Sequence, residues 1–138
     1  MTNINEINTA VYRMLKNDAV LERLCALYKG EKRPLAAPNP SLTVAAKRLE
    51  PGEGEGIWMC DVVVTVYADG LANKTADSET LGNISSRVKT ILSDKTPELD
   101  NAKALPIIEG ESSSGWNPAH DKETMQENVF GLVFVKFD

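Results

Sequence analysis

The chain is poor in the residues that do chemistry: among 138 residues it holds one histidine and two cysteines. A zinc or calcium site needs several ligands at short spacing, and neither a His-Glu-x-x-His pair nor an Asp-x-Asp loop is present, so no metal is expected. Cys25 and Cys60 lie far apart with no further Cys or His at metal spacing, which predicts two buried, reduced thiols acting as small hydrophobes. No apolar run approaches the ~20 residues of a membrane helix. The opening Met-Thr-Asn-Ile-Asn-Glu lacks the basic start of a secretory signal, so a soluble chain made in a cytoplasm is expected. Positive charge is scarce as well. Fifteen Lys and Arg against twenty Asp and Glu leave a formal charge of −5, which opposes a tight grip on nucleic-acid phosphates.

Glycine-rich nucleotide loops are missing too. Pro51-Gly-Glu-Gly-Glu-Gly56 is the nearest approach, but Glu53 and Glu55 would repel a phosphate and no Lys-Ser or Lys-Thr follows. It reads as an acidic hairpin tip. No dinucleotide fingerprint joins a strand to a helix, and no cofactor is expected.

What the chain does have is β-rich apolar sequence. Residues 57–67 place Trp58, Cys60, Val62, Val64 and Val66 on one face and Ile57, Met59, Val63 and Tyr67 on the other. A strand apolar on both sides belongs at the centre of a sheet. Residues 128–138 repeat the pattern, with Val129, Val133, Val135 and Phe137 opposite Phe130, Leu132 and Phe134. Residues 41–50 alternate as a half-buried edge strand, and residues 105–111 read as a second edge because Pro106 cannot donate to a ladder. Residues 110–127 include a long polar loop.

Helical spacing appears twice. Ile4, Ile7, Val11 and Met14 form one stripe; after a break at Asn17, Asp18 is placed to cap a shorter helix through Val20, Leu21, Leu24 and Tyr28, ended by Gly30. Residues 29–41, with Pro34, Pro38 and Pro40, make an extended connector. Leu81, Ile84, Val88, Ile91 and Leu92 define a later helix over residues 75–94, with Gly82 either against a close neighbour or without structural meaning.

These elements predict one α+β domain over residues 1–138, with a four-stranded, mainly antiparallel sheet in the order 1-2-4-3, an N-terminal helical segment and one crossover helix. Two helical layers can cover one sheet face, yet both central strands are apolar on two faces. Either the helices divide between the faces, or another subunit covers one of them.

Candidate chemistry is thin. His120 beside Asp121 could activate Ser112, Ser113 or Ser114 in a small hydrolase, but no Gly-x-Ser-x-Gly context accompanies them, and a solvated loop histidine is the simpler reading. No enzyme is expected. Trp116, flanked by Ser, Gly, Asn and Pro, reads either as a partner anchor or as a plug folded onto its own domain. Lys29, Lys32 and Arg33 form a basic cluster that is either a partner surface or simply solvated.

The order of elements resembles a known family. The segment Ile7-Asn-Thr-Ala-Val-Tyr-Arg-Met-Leu-Lys-Asn-Asp-Ala-Val-Leu-Glu-Arg-Leu24, the proline-bearing link, Val62-Val-Val-Thr-Val-Tyr-Ala-Asp69 and Ser78-Glu-Thr-Leu-Gly-Asn-Ile-Ser-Ser-Arg-Val-Lys-Thr-Ile-Leu92 look like the tail terminator, or tail-completion, proteins of tailed bacteriophages. The resemblance spans nearly the whole chain through helix and strand patterns rather than a catalytic signature. It implies a structural virion protein that forms a homo-oligomeric ring, usually of six, on the tail tube protein, stops tube growth and offers a surface to the head-tail connector or neck protein. DNA would then be passing cargo, with acidic residues such as Glu53 and Glu55 near the lumen or the tube. A head-closure or connector protein of the same junction is the alternative. A domain of this length has a radius of gyration of about 14 Å, so six in contact leave a hole on the order of one domain diameter, whereas three leave only a chink.

Overall fold

The computed structural model describes residues 3–32, 34, 40–69, 74–117 and 123–136. Helix α1 (Ile4–Lys16) starts at Asn3, whose side chain accepts from the Glu6 amide, and buries Ile7, Ala10, Val11 and Leu15. The buried stripe is thus displaced from the expected one: Ile4 is exposed and Met14 only partly covered. Asp18 caps the short α2 (Ala19–Leu24) by accepting from the Leu21 amide at 2.8 Å.

Beyond α2 the chain departs from the helical expectation. Ala26–Lys29 is a strand, β1, paired in parallel with β2 (Ser41–Pro51). Tyr28 fits a helix by spacing alone, and a six-residue helix followed by a four-residue strand is too short for either period to show. Gly30 does adopt a left-handed φ of 104°, but it ends the strand, and its amide donates to Val44 O at 2.8 Å. The presence of β1 also takes β2 off the sheet edge along residues 41–44. Past that point the Asn8 side chain of α1 accepts from the Ala46 amide, so a helix side chain satisfies a donor that β1 is too short to reach.

β3 (Ile57–Asp69) and β6 (Glu123–Lys136) pair antiparallel along the full length of β3 and are the central strands. The expected four-stranded sheet is corrected to a six-stranded mixed sheet in the order β1-β2-β3-β6-β4, with β5 also on β6, curled into a half-barrel. The residues at 105–111, expected to form one edge strand, instead span an interruption. β4 (Ala102–Ala104) and β5 (Ile108–Asn117) lie end to end along the same side of β6. Pro106 falls in the break, where it has no ladder bond to lose, and Ile107 turns into the core instead, its amide donating to Lys95 O at 2.8 Å. A second irregularity follows between Glu109 and Ser112. Gly110 is required there, because a Cβ would stand 2.7 Å from Val129 O. The stretch expected to be a long polar loop is largely β5 and the start of β6.

α3 (Lys74–Leu92) crosses between β3 and β4 and buries Leu81, Ile84, Val88 and Leu92. Gly82 meets no atom within 4 Å of where a Cβ would be, so no close neighbour demands it. The helix ends in Asp94 at φ 63°, whose amide donates to Ile107 O and so ties the helix terminus to the break in the edge strand.

Among the described residues, helices α1, α2 and α3 cover the same face. One cluster joins Ile7, Val11 and Leu15 of α1, Leu21 of α2 and Ile84, Val88 and Leu92 of α3 to the even-numbered residues Val62, Val64, Val66, Phe130, Leu132 and Phe134. Arg87 of α3 fastens the layer with a two-pronged ion pair to Asp18, Nε to Oδ1 at 3.0 Å and Nη2 to Oδ2. Hydrogen bonds from Arg87 and from the Leu21 amide hold the Asp18 carboxyl below its ordinary value of 3.8. A depressed carboxylate adds stability that is complete above 3.8 and disappears as pH falls through the folded value. Asp18→Asn keeps a capping oxygen and loses the charge, so wild type is expected to exceed it in stability at pH 6, with the gap closing below pH 3.8 in urea titrations.

Candidate functional site: the uncovered sheet face

With the helices on one side, the odd-numbered residues of β3 and β6 face away from them. Cross-strand pairs Ile57–Val135, Met59–Val133 and Asp61–Gly131 lie on this face. β4 and β5 extend the rows: Lys103 pairs with Val135, the Leu105 amide donates to Val133 O, and Ile108 pairs with Gly131. Met59, Leu105, Ile108 and Val135 are 39–63% exposed. They make one apolar patch three strands wide. Toward β2 the same face changes character, and Thr43, Ala45 and Val63 are buried.

Beside the patch lies an open cavity of about 370 Å³ lined by Lys47, Arg48, Asp61, Glu111, Glu127 and the side chains of Val63 and Val129. Its cationic wall depends on a bulge. Between the Lys47–Asp61 and Glu50–Met59 pairs β2 carries two residues opposite one, and Arg48 takes φ 56°, unusual for a residue with a side chain. Regular alternation would turn Arg48 toward the core. The bulge brings it beside Lys47 on the cavity, 3.7 Å from Asp61, and lets Leu49 pack inward. Arg48 is largely exposed, so this ion pair orients the guanidinium more than it stabilises the fold.

Among the described residues, those singled out from sequence lie at separate places. Glu53 and Glu55 are both exposed on the β2–β3 turn, where Gly54 and Gly56 have positive φ, adjoining the Ile57–Val135 end of the patch. Lys29 ends β1 with its ammonium 5.5 Å from the centre of the Tyr12 ring, a cation–π contact, and Lys32 is exposed farther along the chain. Arg33 and His120 lie outside the described residues. Trp116 has its backbone in β5, opposite Thr124. Of the three serines considered for a hydrolase, Ser112 donates its hydroxyl to Asn128 Oδ1 at 2.9 Å and so faces an amide oxygen. The two thiols are buried and free, and burial pushes Cys25 up to about 12 and Cys60 to about 11.

The second apolar set of both central strands raises, from sequence, the question of what covers this face, but it does not mark Met59 and Val135 as a site. Leu105 and Ile108 carried no such signal. Leu105 continues the register of β4, whereas Ile108 reaches the patch only because the break at Pro106 and Ile107 shifts the edge strand by one residue.

No family model and no curated protein matches the sequence. Solved structures do match. The half-barrel with helices on one side is shared at a TM-score of 0.76 and 19% identity with a chain spanning nearly the same length, 95% of this chain and 96% of that one. That chain is part of the virion of a native gene transfer agent particle. A further solved chain shares the fold at a TM-score of 0.59 and 10% identity, over 97% of this chain and 93% of the other.

Proposed function

We propose that this chain is a structural virion protein of the phage type, a tail terminator. It acts as a ring, of six copies, seated on the finished end of a tail tube, where it stops further addition of tube subunits and presents a surface to the head connector. The observation that carries this reading is the end-to-end fold likeness to a virion chain, with neither protein having a large insertion outside the shared fold. The uncovered apolar patch supplies the physical motive for assembly, since contiguous exposed apolar surface marks an interaction site. An acidic chain suits a conduit through which DNA must slide without adhering, and Glu53 and Glu55 are the residues assigned to its margin.

Deleting the gene from its phage or particle tests the role. Tails of uncontrolled length, restored to one length by the cloned gene, are the expected result; tails of normal length overturn it. Pull-downs against tube and portal components separate this assignment from a head-closure protein of the same junction, which would hold the portal and ignore the tube.

A further inference from the structure

The ring reading leaves open which surfaces of neighbouring copies meet, and the distribution of exposed apolar side chains answers it. Among the described residues, four of the large exposed ones, Met59, Leu105, Ile108 and Val135, share the helix-free sheet face. Val20 and Leu24 form a second group, four residues apart on α2 and hence on one side of that helix. α2 belongs to the layer on the opposite side of the sheet. The domain therefore carries two apolar surfaces that point away from each other. A patch that binds its own copy closes a dimer and stops, whereas a ring requires two different patches that meet head to tail.

Charge matches the two surfaces. The cavity beside the sheet patch is lined by the carboxylates of Asp61, Glu111 and Glu127 against Lys47 and Arg48, and Arg48 is already turned to Asp61. α2 carries Arg23 between its two apolar residues. The Arg23 Nε donates to the Ala19 carbonyl of its own helix at 3.2 Å, and its guanidinium has no acidic partner among the described residues.

We infer that the copies join through a heterologous contact: the Val20–Leu24 ridge of α2 in one copy seats on the Met59, Leu105 and Ile108 patch of the next, and Arg23 reaches the carboxylates of its cavity. This rests on the ring reading, with the neighbouring copy as the partner. The sheet face thus gains the cover it lacks, and the repeat of one contact around the axis covers the α2 ridge and the sheet patch of every copy.

Complementation of two defective variants tests it with the full-length chain. Met59→Asp disables the sheet surface and Leu24→Asp the helix surface. Each alone is expected to run as a monomer of 15.1 kDa in light scattering under conditions where wild type assembles. Mixed in equal amounts, they keep one intact surface each and are expected to form a heterodimer of twice that mass that grows no further. Arg23→Glu is expected to weaken wild-type assembly at least tenfold, with recovery when Glu127→Lys is added. Circular dichroism confirms folding, and Val135→Lys replaces Met59→Asp if that variant unfolds. Assembly of Leu24→Asp at wild-type strength, or a mixture that stays monomeric, overturns the contact while leaving the ring intact. A wild-type chain that stays monomeric with and without tube protein overturns the ring reading itself.

Discussion

Phe130→Ala is expected to lower the unfolding free energy by about 4 kcal/mol, the cost of emptying a buried phenyl site whose walls relax only in part. Phe130 is fully buried and pairs with Val62 across the two central strands, within the cluster that receives Val88 and Ile84 from α3. Such a cavity sits where sheet and helices are both rigid, so collapse is limited. Domains of this size have total stabilities of roughly 5–15 kcal/mol, and the variant would keep only a fraction of it. Urea denaturation followed by tryptophan fluorescence measures the change, and a loss under about 1 kcal/mol would mean that the core is not centred on these strands.

Asn128→Asp is expected to cost a similar amount at neutral pH, about 3–5 kcal/mol, through charge rather than volume. Asn128 has no exposure, and its amide nitrogen donates to Val64 O at 3.3 Å and to Ser85 Oγ at 3.1 Å. Its amide oxygen accepts from Ser112. Four elements, β3, β5, β6 and α3, thus meet at one side chain. A carboxylate there loses both donated bonds, faces the Val64 carbonyl and has no cation among the described residues. Its folded pKa would rise above the unfolded value, so the folded state holds the proton longer, and the deficit grows as pH rises from about 4. Wild type and variant should therefore converge in acid and separate toward neutrality. A deficit independent of pH would show that shape, not charge, is at stake.

The central strands were legible because 13 and 14 residues are long enough for period-two alternation to declare itself on both faces. α3 was legible for the same reason: 19 residues carry its stripe through five turns. β1 and β4, with four and three residues, were not legible, since their pairing is decided by neighbours far away in sequence. The serine-rich stretch misled most. Ser112 and Ser113 have little intrinsic strand preference, and they are extended because Asn128 and Glu127 of β6 pair with them. The alternation of both central strands left two ways to cover the second sheet face, helices divided between the faces or another subunit, and Met59 and Val135 lie exposed on the face the helices leave open. The bulge that turns Arg48 onto that face left no mark in the sequence, because left-handed backbone at an arginine is imposed by the pairing of β2 with β3.

The most direct measurement is the mass of the wild-type chain in solution, by light scattering coupled to size exclusion, alone and after addition of tail tube protein. A closed assembly of about six copies is expected, free or bound to tube ends, with added tube protein failing to elongate past it. A mass of 15.1 kDa under both conditions would contradict it.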